Sequence, residues 1–219
     1  MLEISLAGTS RQLRHVLLLG AHADDIEIGC GASILALTRA RPDLHVTWIV
    51  LGATGERARE ARASADAFLA GVDAEVAVHE FRDGFLPYVG AEVKDVFEEL
   101  KARASPDLIF THTRTDLHQD HRLVCELTWN TWRDHLILEY EIPKFDGDLG
   151  SPNVFVPVSA ELAAEKVRLL HESFPSQREK HWFDDELFRA LMRIRGMEAA
   201  SPSGLAEAFT SRKLSLAVA

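Results

Sequence analysis

The sequence predicts a Rossmann-like α/β fold, a three-layer sandwich in which a mainly parallel sheet lies between two layers of helices. Apolar runs and helix-forming segments alternate along the chain at intervals of roughly 30 residues, the size of a βαβ unit. The first apolar run, residues 16–19 (VLLL), does not alternate between apolar and polar positions, as expected for a strand covered on both faces. This alternation of strands and helices favours parallel strands joined by right-handed crossovers.

The elements predicted in the first half of the chain follow from the apolar runs and from the residues that end them. The first strand breaks at Gly20, and Pro42 stops the helix that follows it. The next helix is rich in alanine and arginine, and the third has its apolar positions at helical spacing. We predict strands at residues 16–19, 45–51, 74–81 and 108–110, with helices at residues 26–40, 56–69 and 92–104 between them.

The second half of the chain continues the alternation. We predict a helix over residues 121–134 and a strand over 136–142. A surface loop over residues 144–153 follows, because this stretch is rich in Gly, Asp and Pro. The last short strand is predicted at 154–158. Ser159 can cap a helix that reaches residue 173, and a final helix over 182–195 is expected to stop at Gly196. Without a repeat or linker, residues 1–219 are predicted to form a single domain.

The composition is that of a soluble globular protein. Of the 219 residues, 47% are hydrophobic and 26% are charged. The formal net charge of −10 argues against nucleic acid or an anionic membrane surface as a partner, because either would repel the chain. No apolar run approaches the roughly 20 residues of a membrane span.

The cysteines and the first residues favour a reducing compartment. Cys30 and Cys125 are the two cysteines, too few for a disulfide framework. Residues 1–14 contain no apolar segment of the kind found in signal peptides. We therefore expect the protein to be cytoplasmic.

Two polar clusters follow predicted strands and carry the candidate chemistry. The first cluster is residues 22–25 (HADD), and the second is residues 116–121 (DLHQDH). Ligands of open α/β sheets bind in the crevice outside the carboxyl ends of the strands. We therefore predict that the two clusters meet around one divalent metal ion.

The spacing within each cluster suits a metal. His22 and Asp25 are three residues apart, and so are His118 and His121, so each pair can project from one face of a helical turn. A catalytic zinc site uses three protein ligands, drawn from imidazole nitrogen and carboxylate oxygen among others, and keeps one position for water. The spacing leaves open whether His118 or His121 is the third ligand. It also leaves open the roles of Asp24 and Asp25, and Asp24 can serve as a helix N-cap instead.

Both clusters resemble the motifs of one family. Residues 21–25 (AHADD) resemble the [A/P]-H-P-D-D signature of the LmbE/PIG-L family of zinc-dependent sugar de-N-acetylases, and residues 118–121 (HQDH) resemble its H-x-D-H motif. The similarity extends over roughly residues 14–125, and more loosely to residues 206–209. Ala23 stands where the family usually has proline, which alters the loop but removes no ligand.

The resemblance implies a role for each residue of the clusters. His22, Asp25 and His121 would bind zinc (Zn²⁺), and Asp24 would be the general base. His118, as an imidazolium, would stabilise the oxyanion. Asp120 is expected to orient His118 and keep it charged. Bound zinc lowers the pKa of its water to about 7, so that the water can attack an amide carbonyl.

Further candidates have two interpretations each. Arg57 resembles the first residue of a family R-x-x-E motif and either binds a substrate hydroxyl or phosphate, or belongs to a solvated helix face. Asp83 resembles a turn residue that reaches substrate hydroxyls, or serves the turn alone. His112 either lines the pocket or is structural. Lys144, Asp146 and Asp148 are weaker candidates for sugar recognition, whereas Cys30 and Cys125 are expected to be core residues. Residues 29–32 (GCGA) lack the third glycine of a dinucleotide-binding loop.

The resemblance therefore implies a zinc-dependent hydrolase that removes an N-acetyl group from an amino sugar or a sugar conjugate, either a glycoside or a nucleotide sugar. One alternative is a zinc amidase acting on a non-sugar acyl amide. Another is a non-catalytic sugar-binding protein on the same fold. The expected partner is a small-molecule substrate, and the resemblance is compatible with a homotrimer or hexamer.

Overall fold

The computed structural model describes residue 5 and residues 13–215. Most of the N-terminal segment on which the signal-peptide expectation depends lies outside these residues. The strands of the described chain are β1 (His15–His22), β2 (His45–Gly52), β3 (Asp73–Val78), β4 (Leu108–His112), β5 (Leu136–Tyr140), β6 (Val154–Pro157) and β7 (Ala206–Thr210). Its α-helices are α1 (Asp25–Ala40), α2 (Gly55–Phe68), α3 (Gly90–Arg103), α4 (Gln119–Thr131), α5 (Ala160–Ser173) and α6 (Asp185–Glu198).

The strands form one mixed sheet in the order β3-β2-β1-β4-β5-β7-β6. The strands from β3 to β5 in this order are parallel, whereas β7 is antiparallel to both β5 and β6. The predicted three-layer fold with a mainly parallel sheet is therefore confirmed, with two strands added at one edge.

Both faces of the sheet are covered, which explains why the first apolar run does not alternate. Leu18 packs in the core formed with α1, α2, α5 and α6, while Leu17 and Leu19 pack in the core formed with α3 and α4. All three leucines are fully buried. Successive side chains of one strand thus enter two different cores, and both cores require apolar residues.

The C-terminal part of the chain differs from the prediction in two elements. Strand β7 was not predicted, so the strand at residues 154–158 is not the last. Helix α6 does not end at Gly196 but continues to Glu198. Gly196 lies against the backbone of Gly204, where an added Cβ would be only 2.1 Å from the carbonyl oxygen. This glycine therefore permits a close backbone approach and does not terminate the helix.

Helix α5 starts where the sequence predicts, whereas helix α4 starts earlier. Ser159 caps α5, because its hydroxyl accepts a hydrogen bond from the backbone N–H of Leu162 at 3.2 Å, as predicted. Helix α4 begins at Gln119, two residues earlier than predicted, and His118 occupies its N-cap position. The second polar cluster therefore includes both the end of a loop and the first turn of a helix.

Helix α1, which begins at the first polar cluster, is broken at Cys30, whose φ of −143° and ψ of 15° are not helical. The break leaves backbone groups without helical partners, and two distant residues satisfy them. The carboxylate of Glu207 on β7 accepts hydrogen bonds from the backbone N–H groups of Ala32 and Ser33, and Lys166 on α5 donates to the carbonyl of Ile28. Lys166 and Glu207 also form a buried ion pair at 2.6 Å.

No helix within residues 13–215 is both long enough and apolar enough to cross a bilayer.

Candidate metal centre

The two polar clusters meet at one edge of the sheet, as the fold class predicts. Strands β1 and β4 are parallel neighbours, with Val16 opposite Leu108. His22 is the last residue of β1, and the second cluster lies between β4 and the first turn of α4. Because parallel strands end at the same edge, residues about a hundred positions apart come into contact.

Three atoms of the predicted ligands converge. The Nδ1 atom of His22 lies 3.1 Å from Nε2 of His121 and 3.3 Å from Oδ2 of Asp25. The third distance, from Nε2 of His121 to Oδ2 of Asp25, is 3.5 Å. With bonds of about 2.0–2.2 Å, the ligand atoms of a tetrahedral zinc site lie roughly 3.3–3.5 Å apart. Two of the three separations are in this range and the third, between the two histidine nitrogens, is 3.1 Å, so the spacing is close to that which a small divalent cation requires.

Buried carboxylates select the ring nitrogens that face the centre. Nε2 of His22 lies 3.1 Å from Oδ2 of Asp120, and Nδ1 of His121 lies 2.9 Å from Oδ2 of Asp116. If each of these nitrogens carries the proton and donates it, the opposite nitrogen presents its lone pair to the centre. A carboxylate behind a histidine ligand is the usual arrangement at protein metal sites.

Other histidines surround these ligands. Ring nitrogens of His22, His118 and His121 lie within 4.8 Å of one another, so His118 remains in reach of the same ion. His112 is buried and stacks on His121 with ring centroids 3.9 Å apart. Its Nε2 accepts a hydrogen bond from the backbone N–H of Ala21, which occupies that lone pair.

The Asp120 carboxylate has other hydrogen-bond partners than the one expected. We expected its carboxylate to orient the His118 ring, but the carboxylate contacts His22 and accepts the backbone N–H groups of Gly84 and Leu86, at 2.7 and 3.1 Å. The reason is that the Asp120 side chain is fully buried and faces the loop at residues 84–86. Asp120 hydrogen-bonds to His118 through its backbone N–H, which donates to Nδ1 at 3.2 Å, while its carboxylate acts on the His118 ring by charge alone.

His118 also differs from expectation in its charge. Burial lowers the pKa of His118, His121 and His22 lower it further, and together they outweigh Asp120 and Asp25, which raise it. The ring is therefore favoured as the neutral form, and not as the expected imidazolium. Because Nδ1 accepts a hydrogen bond, the neutral ring carries its proton on Nε2.

The two adjacent aspartates have opposite electrostatics. Burial raises the pKa of Asp24, although Arg57 opposes this, with Nη2 2.8 Å from Oδ2 of Asp24. Burial would raise the pKa of Asp25 as well, but His121, His112 and His22 hold it well below the usual value. Asp24 occupies the N-cap position of α1, yet its side chain accepts no capping hydrogen bond. Its carboxylate is therefore not used as a helix cap.

The two predicted substrate residues lie beside the centre. Arg57 is neither free nor part of a solvated face, because it pairs with Asp24 and donates to Glu60 at 2.7 Å. Asp83 has a side chain that is 76% exposed, and its Oδ1 lies 3.0 Å from Nε2 of His22. Asp83 and Asp120 thus share the same nitrogen of His22.

A cavity of about 640 Å³ opens over the centre. The first cluster, His118 and His121 form its floor, and the loop after β5 contributes Lys144 and Phe145. Trp182 lies on the wall as well, and Phe145 packs against His181 with ring centroids 5.0 Å apart. The cavity therefore combines a polar floor with an aromatic wall.

A family model described as "PIG-L: GlcNAc-PI de-N-acetylase" matches residues 17–132, which is more than half of the chain and includes both polar clusters. The chain belongs to the PIG-L family. The resemblance inferred from the two motifs is therefore confirmed. No curated protein sequence matches the chain closely enough to count as a relative.

Several solved structures share the fold of this PIG-L family chain at low sequence identity. N,N'-diacetylchitobiose deacetylase from Pyrococcus horikoshii is 19% identical, with a TM-score of 0.71 over 94% of this chain and 86% of that one. GalB, the 4-carboxy-2-hydroxymuconate hydratase from Pseudomonas putida KT2440, is 15% identical, with a TM-score of 0.70 over 94% and 98%. Teicoplanin deacetylase Orf2, in a zinc-inhibited form, is 15% identical, with a TM-score of 0.65 over 90% and 97%.

The PIG-L match ends before part of the site does. Phe145 and Trp182 on the cavity wall follow residue 132, as does Lys144.

Asp116 lies in the second cluster, but the sequence alone assigned it no role. Burial alone would raise the pKa of Asp116, but the contacts with His121 and Lys144 lower it to about 2. Its position five residues before His121 was the available signal, and spacing alone does not identify such a partner.

Proposed function

We propose that this PIG-L family member is a zinc-dependent hydrolase that removes the N-acetyl group from an N-acetylated amino sugar or sugar conjugate, such as a glycoside or a nucleotide sugar. The observation that carries the proposal is the convergence of His22, Asp25 and His121, whose ligand atoms are 3.1–3.5 Å apart. Their donor set of two imidazoles and one carboxylate fits zinc and leaves a position for water.

Zinc bound there would supply a water molecule with a lowered pKa and a positive charge near the amide carbonyl. Asp24 takes the proton of the attacking water and returns it to the leaving amine. Its raised pKa makes it a stronger base than an ordinary carboxylate. His118 donates its Nε2–H to the carbonyl oxygen as negative charge develops there, which a neutral imidazole can do.

The cavity supports a sugar conjugate as the substrate. Its volume of about 640 Å³ is within the usual range for small-molecule sites. Phe145 and Trp182 offer apolar faces beyond the polar floor, where the part of the substrate that does not react can pack. Two of the structures similar to this chain are named as deacetylases, one of diacetylchitobiose and one of teicoplanin. Because the site takes residues from both sides of position 132, we also propose that residues 1–219 act as one domain.

The test is acetate release from a panel of N-acetylated amino sugars that are free, glycosidic or nucleotide-linked. We expect acetate from at least one of them, loss of activity after chelation, and recovery with added zinc. Acetate production that persists in metal-free protein would contradict the proposal.

The alternatives give different products in the same experiment. A zinc amidase with a non-sugar substrate would release acetate from N-acetylated amino acids or amines only. A sugar-binding protein would show calorimetric binding without acetate. Since a hydratase shares the fold, the fold does not decide which bond is attacked.

A further inference from the structure

Lys144 lies in the loop after β5, and its ammonium group is held by three acceptors. Nζ lies 2.9 Å from Oδ2 of Asp116, 2.8 and 2.6 Å from Oδ1 and Oδ2 of Asp148, and donates to the carbonyl of Ile142 at 3.2 Å. The side chain is 13% exposed. An ammonium group has three protons to donate. Lys144 therefore has no donor left for a sugar hydroxyl, and the expectation that it recognises sugar directly is replaced by a different role.

Asp116 connects Lys144 to the candidate metal centre. The Oδ2 atom that contacts Lys144 also accepts the Nδ1–H of His121 at 2.9 Å. The other oxygen, Oδ1, accepts the backbone N–H of His118 at 2.8 Å. Asp116 is buried, so its orientation depends on these few partners.

Asp148 makes the second connection. Its Oδ2 accepts the backbone N–H of Leu117 at 2.6 Å, so the loop after β5 is tied to the second polar cluster at both Asp116 and Leu117. The next residue after Lys144 is Phe145, which lines the cavity. One lysine thus joins the metal ligand His121 to the wall where substrate would pack.

We propose that Lys144 is a positioning residue whose role has two parts. It holds Asp116 in the orientation in which its carboxylate accepts the Nδ1–H hydrogen bond of His121, and it holds the Phe145 loop against the cavity. The second part of this role depends on the proposed deacetylase function, whereas the first concerns metal binding alone. Without the ammonium group of Lys144, the carboxylates of Asp116 and Asp148 would lie in a buried space with no cation between them. Asp116 would then turn away from Asp148 and lose its contact with His121. His121 would then lose the partner that fixes its metal-binding nitrogen.

Zinc affinity of purified variants, measured by competition with a chromophoric chelator, tests the first part. We expect Lys144→Met and Asp116→Asn each to weaken zinc binding by about 10- to 100-fold, as loss of such a partner usually does. Since Lys144 acts through Asp116, the double variant should be within about 3-fold of Asp116→Asn. Lys144→Arg, which keeps charge and donors, should recover most of the affinity. Lys94→Met, a change at a lysine remote on α3, is the control and should bind zinc as the unmodified protein does.

Several results would overturn the proposal. One is wild-type zinc affinity in Lys144→Met. Another is a double variant whose loss is the product of the two single losses, because the two residues would then act independently. If Lys144→Met does not fold, Asp116→Asn and the double variant, in which the buried charges are balanced again, still provide the comparison.

Asp148→Asn separates the two parts of the role. It leaves Asp116 and Lys144 together, so zinc affinity should stay within about 3-fold of the unmodified protein, while the KM of the best substrate rises and kcat changes little. A tenfold loss of zinc affinity in Asp148→Asn would refute the assignment to Asp116. If no substrate releases acetate, the proposed function fails, and the zinc measurements still decide the role of Lys144 at the metal centre.

Discussion

Oδ2 of Asp120 lies 3.1 Å from Nε2 of His22. This contact gives His22 the same kind of partner that Asp116 provides for His121. The two imidazoles of the candidate site come from different ends of the sequence match, and each is held by a buried carboxylate, His22 through Nε2 and His121 through Nδ1. In each case a buried carboxylate accepts a hydrogen bond from one ring nitrogen, and the other ring nitrogen is left to bind a cation.

Replacement of Asp120 distinguishes this contact from the one expected from sequence. Asp120→Asn should weaken zinc binding by about 10- to 100-fold, because an amide does not hold the His22 proton as a carboxylate does. If Asp120 acted on His118 instead, Asp120→Asn would lower kcat while the zinc content remained full. Metal affinity and saturated kcat, measured together, separate the two roles, and Asp95→Asn on the exposed side of α3 serves as the control.

The third ligand can be identified by paired alanine variants. His121→Ala should lose stoichiometric zinc, since its Nε2 lies at ligand spacing from His22 and Asp25. His118→Ala should keep zinc and lose about 10²- to 10³-fold in kcat, as other oxyanion donors do. Elemental analysis after dialysis gives the metal content. Loss of zinc from His118→Ala alone would reverse the assignment.

Asp24→Asn tests the general base. We expect zinc to be retained and kcat to fall by about 10²- to 10⁴-fold, the usual contribution of a positioned base. The substitution also removes the ion pair with Arg57, which keeps its contact with Glu60. Single-turnover acetate release in the zinc-loaded variant is the measurement, and undiminished release would exclude this role for Asp24.

The aromatic wall can be tested with two residues of similar exposure. Phe145 is 76% exposed and lines the cavity, whereas Tyr88 is 79% exposed and does not line it. Phe145→Ala should raise KM for glycosidic or nucleotide-linked substrates by about 2- to 10-fold, the value of one aromatic contact. The change should be smaller for the free amino sugar. Tyr88→Ala should leave both KM values unchanged, and an equal effect of the two substitutions would argue against a wall that contacts substrate.

Glu27 predicts a pH dependence of stability in the metal-free protein. Burial raises the pKa of Glu27 to about 8, from 4.5 for an ordinary glutamate. Between these values the folded state binds one more proton than the unfolded state, so the free energy of unfolding falls as pH rises, by up to about 1.4 kcal/mol per pH unit. Glu27→Gln should flatten this slope between pH 5 and 8 when urea unfolding is repeated with chelator present. An unchanged slope would show that another group titrates.

The parts of the site that could be read from the sequence are those set by local pattern. The unalternating run at residues 16–19 predicts a buried strand, and two clusters after such strands predict a shared edge. The pairing of Asp120 with His22 could not be predicted, because the two residues are in contact only once β1 and β4 are neighbours. The same is true of the contact between Lys144 and Asp116, which are far apart in the sequence. Strand β7 was missed because it is short and its residues, AEAFT, have mixed propensity.

The interruption of the helix at Cys30 links the candidate metal centre to residues that follow the family match. Lys166 holds the carbonyl of Ile28 before the break, and Glu207 holds the N–H groups of Ala32 and Ser33 after it; both residues lie beyond the segment that the family model matches. A fragment shortened to that segment would retain every proposed zinc ligand and still leave the amides of Ala32 and Ser33 without acceptors. We therefore expect that a unit able to assemble the centre extends at least as far as residue 207.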